Sequence, residues 1–272
     1  MVVFVCREER AEMIYQGFDG AIEELVSQKL DEIEQKEQVQ ILYAAESGSR
    51  AWGFASPDSD YDIRFIYIRP VEFYLRLEEK KDFINWELND ILDINGWDLS
   101  KVLQHFHKSN ATLYEWSHSP IVYRMTKRWE RIALVSEEYF SCKASLYHYY
   151  GTANKNFYEH LQKEWVTYKK YFYVLRPILA CRWIEERKSP PPVLFSELMR
   201  TMLEEEQQEL VQNLVEQKKQ MAEAEKGERI DLLNQYIEEK LIWYKEKLQH
   251  MEDDRNPDWE KLNQIFLESL SI

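Results

Sequence analysis

The pattern of apolar and polar residues divides the chain near residue 125. Before this point, short apolar runs bounded by turn residues predict strands at 39–45, 61–69, 83–88 and 91–95. After it, helical spacing predicts helices at 139–164, 165–187, 195–226, 227–251 and 258–270. We therefore expect an α/β protein with two domains. A small mixed β-sheet core would occupy residues 1–125, and an all-helical domain residues 126–272.

Local signals refine the first domain. Apolar residues at helical spacing predict a helix at 19–37, and the run at 71–77 fits a short helix or an edge segment. Asn89-Asp90 lies between two strand-like runs and has the composition of a two-residue hairpin turn. Asp98 directly precedes a helical pattern that starts at Leu99, so we expect Asp98 to cap that helix.

The stretch 47–62 carries the candidate chemistry. Gly48 and Ser49 open a turn, and Asp60 and Asp62 come just before the apolar strand. Because residues two apart in an extended strand face the same side, the two carboxylates are expected to lie together. Two neighbouring carboxylates repel each other unless a cation lies between them. A serine-containing loop beside paired carboxylates is what the binding of a nucleoside triphosphate and Mg²⁺ requires.

The acidic stretch at 56–62 has two other interpretations, a simple turn and a calcium-binding loop. Ser-Pro-Asp-Ser-Asp forms a turn on its own, and acidic residues are common in turns. Asp58, Asp60 and Asp62 also match three ligand positions of a calcium-binding loop. However, Ile63 lies where that loop requires glycine, and Arg69 lies where it requires glutamate. The upstream loop and the downstream strand therefore favour a site for metal and nucleotide.

Further motifs accompany this stretch. They are Gly-Trp-Asp-Leu at 96–99, Lys-Ser-Asn at 108–110, Glu-Trp at 115–116, Ser-Pro-Ile-Val-Tyr at 119–123, Lys-Lys-Tyr-Phe-Tyr-Val-Leu-Arg-Pro at 169–177 and three prolines at 190–192. Together with Gly48-Ser49 and Asp60-x-Asp62, they resemble the nucleotidyltransferase superfamily related to DNA polymerase beta. Within it, the chain is similar to a bacterial family named for an RNA repair pathway. The resemblance covers most of residues 40–200.

The resemblance implies metal-dependent nucleotidyl transfer. This reaction uses two metal ions, and two aspartates alone would hold both ions poorly, so a third carboxylate is expected. The resemblance places this carboxylate near the strand after the hairpin, where Asp93 lies; Asp98, the expected helix cap, is the alternative. Asp60 and Asp62 are expected to bind both ions, Mg²⁺ or Mn²⁺. Asp93 would bind the catalytic ion and help to deprotonate the acceptor.

The turn residues are candidates for binding the triphosphate. Ser49 is expected to donate its hydroxyl, with the backbone N–H groups of Gly48 and Ser49 assisting. Arg50 reaches either a phosphate or a surface ion-pair partner. Arg64 shares a face with Asp62 by alternation. It would stabilise the carboxylates, contact a phosphate or pair with Glu87.

Lys170 and Arg176 lie six residues apart on a predicted helix. The resemblance implies that this helix forms one wall of the nucleotide-binding cleft. The alternative is an ordinary basic face in contact with solvent.

Composition limits the partners. The net charge of −14 argues against a broad electrostatic grip on nucleic acid, although residues 124–131 and 163–188 are locally basic. The three cysteines are far apart and include no CxxC pair, so neither a zinc site nor a disulfide framework is predicted. Reduced thiols favour a cytoplasmic protein. No apolar run approaches the roughly 18–20 residues of a membrane span.

The expected activity is transfer of a nucleoside monophosphate, AMP from ATP, to a hydroxyl acceptor with release of pyrophosphate. An RNA end, a small molecule and a protein side chain stay open as acceptors. Two other classes of function compete with this one. One is a nucleotide-binding regulator without catalysis. The other is an antitoxin-type protein that binds a protein partner through the acidic helices after residue 203.

Overall fold

The computed structural model describes residues 20–55, 59–88, 92–220, 226–253 and 255–270. The elements before residue 126 are α1 Gly20–Glu37, β1 Gln40–Glu46, α2 Gly48–Trp52, β2 Tyr61–Ile68, α3 Val71–Tyr74, β3 Phe83–Leu88, β4 Leu92–Asp98, α4 Leu99–His107, α5 Ala111–Ser117 and β5 Val122–Met125. The expected turns at 56–58 and 89–90 lie outside the described residues. The predicted strands and the cap at Asp98 are confirmed, since the Asp98 side chain accepts from the backbone N–H of Ser100.

The elements after residue 126 are α6 Lys127–Ser136, a 3₁₀ turn Glu137–Tyr139, α7 Cys142–His160, β6 Trp165–Thr167, α8 Lys169–Arg187, α9 Phe195–Met202, α10 Glu205–Gln220, β7 Lys226–Glu228, α11 Asp231–Gln249 and α12 Glu260–Leu270. In the ranges described, none of these or the earlier helices has both the length and the apolar character that crossing a membrane requires.

A five-stranded mixed sheet forms the centre of the first part, in the order β3-β4-β2-β1-β5. The β2–β4 pair is parallel, whereas β3–β4, β1–β2 and β1–β5 are antiparallel. The parallel register aligns Asp62 with Asp93, and Tyr67 with Asp98. The predicted α/β class with a small mixed sheet is therefore confirmed, and Asp98 lies far along the strand from Asp62.

Helices cover both faces of the sheet. Alternate residues of β2 point to opposite faces, so each face contributes its own set of apolar side chains to the packing. Ile63, Phe65 and Tyr67 pack with α1 on one face. Ile66 and Ile68 pack on the other face with α4, α5 and α6. Helices on both faces of a sheet are the usual way to bury its two apolar surfaces.

The last helix also covers the sheet. Leu262 of α12 is 2% exposed and belongs to the same apolar cluster as β1 and α4. The segment before α12 is fixed as well, because Arg255 donates to the carbonyl of Tyr139 at 3.0 Å and the Trp259 ring stacks on His107 with centroids 3.7 Å apart. Elements from beyond residue 125 thus complete the core of the first part, while the domain division at 125 stays a prediction.

The second part is built on α7 and α8, which pack along each other with α9, α10 and α11 around them. This helical core extends to the first part through Phe54, whose ring stacks on Phe172 with centroids 4.9 Å apart. Phe54 directly follows the Gly48 turn and helix α2. The turn is therefore held between the sheet and the helical core.

Several helices differ in their bounds from the sequence predictions, including the helix expected at 139–164, which is Cys142–His160. Residues 165–167 and 226–228 pair as a two-stranded sheet, so the helices expected at 165–187 and 227–251 begin later, at Lys169 and Asp231. The buried, β-branched Val166 favours a strand over an exposed helical start. The helix expected at 195–226 is two helices, because Leu203 is extended and its side chain enters the core.

Glu46 links three strands at the end of β1. Its Oε1 accepts from the backbone N–H of Asp62 at 2.7 Å, and its Oε2 accepts from the Tyr123 hydroxyl. The side chain is almost completely buried. Burial raises the pKa of Glu46 from 4.5 to about 7, although the hydrogen bonds from Tyr123 and Asp62 oppose the shift.

This carboxyl group gives the stability of the fold a pH dependence of known sign. The folded-state pKa of Glu46 lies above the unfolded-state value, so the folded protein keeps a proton that the unfolded chain loses between about pH 4.5 and 7. Its contribution to the free energy of unfolding therefore falls as pH rises through that window. We expect Glu46→Gln, which mimics the protonated acid, to gain up to roughly 3 kcal/mol relative to wild type over this range.

Urea unfolding of both proteins at pH 4.5 and pH 8 measures the difference. The exposed Glu72→Gln variant controls for the change in net charge. Parallel pH profiles for wild type and Glu46→Gln would show that Glu46 does not titrate as described.

The contribution of α12 to the sheet core is tested by a pair of leucines on that helix. Leu262→Ala is expected to lower the free energy of unfolding by about 2–5 kcal/mol, because it leaves a cavity in a packed core. Leu267, 63% exposed on the same helix, provides the matched control. Leu267→Ala should change stability by less than about 0.5 kcal/mol. Equal effects in thermal or urea unfolding would mean that α12 does not pack as described.

Candidate active site

Asp62 and Asp93 form a pair of carboxylates on neighbouring parallel strands. Arg64 Nη2 lies 2.7 Å from Asp62 Oδ1 and 2.7 Å from Asp93 Oδ2. Arg64 Nη1 also donates to the backbone carbonyl of Asp93 at 2.9 Å. Of the roles expected for Arg64, the structure therefore contains the first, in which the guanidinium stabilises the carboxylates. The Glu87 side chain lies outside the described residues.

The electrostatics of Asp62 reflect its crowded surroundings. Burial raises the pKa of Asp62, and the nearby Asp60 and Asp93 carboxylates raise it further. Arg64 opposes these effects, because its positive charge favours the ionised carboxylate. Asp62 is therefore a carboxylate that gains strongly from a nearby cation.

Gly48 lies directly against Asp62. Its φ of +61° is in the left-handed region that glycine adopts without strain. A Cβ added at this position would lie 2.1 Å from Asp62 Oδ2. The backbone N–H of Ser47 also donates to the Asp62 carbonyl at 2.8 Å. The absence of a side chain at Gly48 thus allows the turn to approach the carboxylate pair.

The other residues expected in the turn have different surroundings. Ser49 is buried, and Ser47 rather than Ser49 lines the neighbouring cavity. Arg50 donates to the backbone carbonyls of Ser59 at 2.6 Å and Asp60 at 2.9 Å. Its guanidinium also lies 3.6 Å from the centre of the Tyr61 ring. Arg50 therefore fixes the segment that carries Asp60.

Asp60, which the sequence predicts to pair with Asp62 in metal binding, is exposed just before β2. Within the ranges that the structure describes, no three acidic, histidine or cysteine side chains converge to hold a metal ion. Asp62 and Asp93 each contact Arg64 through one oxygen, Oδ1 of Asp62 and Oδ2 of Asp93, so the second oxygen of each carboxylate is the candidate ligand of a divalent cation. Carboxylate oxygens are the ligands that Mg²⁺ and Mn²⁺ prefer.

Asp98, the alternative third carboxylate, is committed elsewhere. Its Oδ1 accepts from the Ser100 N–H at 2.8 Å, and its Oδ2 accepts from the Tyr74 hydroxyl at 2.8 Å. Burial raises the pKa of Asp98, and these hydrogen bonds lower it. The structure aligns Asp93, not Asp98, with Asp62.

A cavity of about 220 Å³ opens beside the Gly48 turn, between the sheet and the helical core. One end is formed by the turn and Asp62, and the walls come from α2, α5, α7 and α8. The lining residues are Ser47, Gly48, Trp52, Asp62, Thr112, Glu115, His148, Tyr149, Thr152, Phe172, Tyr173, Arg176 and Pro177. Asp62 and the turn therefore face this cavity, and Asp93 lies next to Asp62 on the neighbouring strand.

Arg176 and Glu115 form a buried ion pair in the wall of this cavity. Arg176 Nη1 lies 2.7 Å from Glu115 Oε1, which also accepts from the Tyr149 hydroxyl at 2.8 Å. The Arg176 guanidinium lies 4.6 Å from the centre of the Trp52 ring. Arg176 is thus a cavity residue, whereas Lys170 lies beside it, with Nζ 5.4 Å from the centre of the Tyr173 ring.

Several cavity residues were not identified from the sequence. Glu115 belongs to one of the quoted motifs, yet its role depends on Arg176, 61 positions away along the chain. His148 and Thr152 lie four residues apart on α7 and so share a face. Burial lowers the pKa of His148, which favours the neutral ring. Only the tertiary structure shows that this face of α7 lines the cavity.

Comparisons with known proteins support the resemblance found in the motifs. The sequence model of the RNA repair pathway DNA polymerase beta family matches residues 22–268. The chain is 42% identical over 244 residues to YcgL, an uncharacterised protein of Bacillus subtilis (strain 168), with 89% of this chain and 94% of YcgL covered.

A solved structure is also similar, at 14% identity and a TM-score of 0.30. It is a nucleotidyltransferase-like protein from Exiguobacterium sibiricum 255-15, and the match covers 84% of this chain and 74% of that one. The family match spans nearly the whole described chain and confirms the resemblance. The chain therefore belongs to the RNA repair pathway DNA polymerase beta family.

Proposed function

We propose that the protein transfers a nucleoside monophosphate from a nucleoside triphosphate to a hydroxyl acceptor and releases pyrophosphate. One observation carries this proposal. The Gly48 turn lies against Asp62 beside a cavity that Asp62 lines, and the Asp93 carboxylate lies next to Asp62, with both bound to Arg64 Nη2. Family membership supports the same class of reaction.

The triphosphate would lie at the turn end of the cavity. Gly48 brings the backbone beside the carboxylate pair, so phosphates held by the N–H groups of Gly48 and Ser49 would also be near Asp62. Ser47 lines the same end and offers a second hydroxyl besides that of Ser49. Arg50 holds the Asp60 segment in place through two backbone carbonyls.

Asp62 and Asp93 would hold Mg²⁺ or Mn²⁺, with Asp60 as the third ligand. When bound, the metal supplies charge neutralisation at the phosphates and lowers the pKa of the acceptor hydroxyl. Asp93 accepts the proton of that hydroxyl. Arg64 keeps the two carboxylates together, because it contacts both of them and the Asp93 carbonyl.

The cavity walls position the nucleotide and limit access of water. Trp52, Phe172 and Tyr173 give the walls an aromatic surface. Excluding water protects the donor from hydrolysis and strengthens the electrostatic contacts at the turn. Transfer to an acceptor hydroxyl is thereby favoured over transfer to water.

For the donor we propose ATP, and for the acceptor an RNA end. The RNA acceptor is supported by the description of the family and by the basic residues in 163–188. Lys170 lies in this segment beside Tyr173, which lines the cavity. A basic segment at the cavity would favour an acceptor that carries phosphates.

The carboxylate assignment is tested with isosteric amides. Asp62→Asn and Asp93→Asn are each expected to lower the rate of nucleotidyl transfer by roughly 10²-fold or more, because each removes a negative charge that would hold the metal ion at the reacting phosphate. Asp98→Asn is the matched control, since asparagine also caps helices. It should retain transfer. The measurement is release of pyrophosphate from ATP with candidate RNA acceptors, and loss in Asp98→Asn with retention in Asp93→Asn would contradict the assignment.

The turn is tested by adding one methyl group. Gly48→Ala is expected to abolish metal-dependent binding of a non-hydrolysable ATP analogue, because its Cβ collides with Asp62 and its φ is strained. Gly151 on α7 has no atom within 4 Å of an added Cβ and serves as the control. Gly151→Ala should bind normally and gain about 0.5–1 kcal/mol of stability. If calorimetric titration finds equal affinity for the ATP analogue in both variants, the Gly48 turn does not take part in nucleotide binding.

A further inference from the structure

We propose that Arg64 is a built-in counter-cation of the carboxylate pair, which weakens the binding of free divalent ions and thereby makes metal binding depend on the triphosphate. This inference rests on the proposed function, because it assumes that Asp62 and Asp93 bind the metal. It goes beyond keeping the two carboxylates together. Arg64 is a positioning residue whose charge also sets the affinity of the pair for an ion.

The first observation is that the guanidinium of Arg64 is fixed on the carboxylate pair. Its Nη2 lies 2.7 Å from one oxygen of Asp62 and 2.7 Å from one oxygen of Asp93. Its Nη1 donates to the backbone carbonyls of Asp93 at 2.9 Å and Ile63 at 3.2 Å. Because arginine is not deprotonated in proteins, a full positive charge is permanently present at this pair.

The second observation is the charge of this group of three side chains. Two ionised carboxylates and one guanidinium leave a single negative charge, which is less than a divalent ion requires for neutralisation. An ion bound to the pair would also be repelled by Arg64, because charges in a partly buried site are poorly screened. Mg²⁺ is usually held by one or two carboxylates together with substrate phosphates, rather than by protein groups alone. A free ion is therefore expected to bind this group weakly.

The third observation is where the other oxygen of Asp62 lies. Asp62 Oδ2, which is not the oxygen that binds Arg64, lies against the Gly48 turn, since a Cβ added at Gly48 would be 2.1 Å from it. The side chains of Asp62 and Asp93 are 23% and 27% exposed, so an ion from solution can reach them. An ion on Asp62 Oδ2 would thus lie beside phosphates bound at the turn.

These three observations couple the ion to the nucleotide. The negative charges of a triphosphate at the turn would offset the positive charge of Arg64 and supply the oxygen ligands that the pair lacks. By linkage, the ion and the triphosphate raise each other's affinity by the same factor. The site would therefore take up the ion together with the nucleotide and bind little metal without it.

The test removes the charge of Arg64 and measures the binding of Mn²⁺. Arg64→Gln keeps a polar side chain but has no charge. At pH 8, which limits competition by protons, calorimetric titration is expected to show free Mn²⁺ binding at least about tenfold more tightly to Arg64→Gln than to wild type. The affinity for the complex of Mn²⁺ with a non-hydrolysable ATP analogue is expected to change by less than about threefold. If Arg64 only held the carboxylates in place, its removal would weaken the binding of both ligands.

Two control variants separate charge from shape and from position. Arg64→Lys keeps the positive charge without the forked guanidinium, so its affinity for free Mn²⁺ should stay within about threefold of wild type. Arg124 also bridges two carboxylates, at 2.6 Å from Asp31 and 3.0 Å from Glu34, but none of these three residues lines the cavity. Arg124→Gln should therefore bind Mn²⁺ as wild type does.

Thermal unfolding gives a second measurement that needs no nucleotide. Without metal, Arg64→Gln should unfold at a lower temperature than wild type, because Asp62 and Asp93 repel each other. Saturating Mn²⁺ should raise its midpoint by about 3 °C more than that of wild type, because the ion replaces the missing counter-charge. An Arg64→Gln protein that does not fold even with Mn²⁺ would therefore overturn the inference.

The remaining outcomes identify what fails. If free Mn²⁺ binds Arg64→Gln no more tightly than wild type, the inference is overturned and Arg64 has a structural role only. If Arg64→Lys also binds free Mn²⁺ more tightly, the effect belongs to the shape of the guanidinium rather than to its charge, which overturns the inference too. In both cases the proposed function stands as long as wild type binds the complex of Mn²⁺ with the ATP analogue. If neither wild type nor Arg64→Gln binds free Mn²⁺ or that complex, the proposed function fails, and this inference with it.

Discussion

The structure depends on holding two like charges together at one end of a sheet. The parallel pairing of β2 with β4 aligns Asp62 with Asp93, and their mutual repulsion would destabilise that register without a counter-charge. Arg64 provides the counter-charge from β2 itself, with one nitrogen 2.7 Å from each carboxylate. Gly48 lies directly against one member of this pair, Asp62, and both residues line the cavity.

A second pairing of opposite charges lies in the wall of the cavity, where Glu115 of α5 forms an ion pair with Arg176 of α8. This second ion pair joins the sheet side of the molecule to the helical core. The stack of Phe54 on Phe172 joins them at a further point. The turn is therefore fixed from both sides, and a rigid turn holds a ligand with a smaller loss of entropy than a mobile one.

Features that depend on local pattern were predictable from the sequence. The alternation in β2, the cap at Asp98 and the strand that carries Asp93 are set by neighbouring residues, and the structure contains them. Arg64 was placed on the correct face, but its partners depend on which strand lies next to β2. That choice is long-range and is not encoded in the spacing of residues along one strand.

Features that depend on packing were not predictable. The break at Leu203 lies in a segment whose Glu- and Gln-rich composition suits a helix throughout, so only burial of the leucine reveals it. The Glu115–Arg176 pair joins elements far apart in sequence, and neither residue alone indicates the other. The metal roles of Asp60, Asp62 and Asp93 and the phosphate roles of Ser49 and Arg50 stay predictions.

The position of α12 has a consequence for synthesis of the protein on the ribosome. The sheet strands, which end at Met125, are synthesised before α12, yet part of one apolar face of the sheet is covered by Leu262 of that helix. Until that residue emerges, the nascent protein exposes an apolar surface that invites aggregation or chaperone binding. The half of the molecule that carries the carboxylate pair is thus made early, but its core is completed only when α12 has been synthesised.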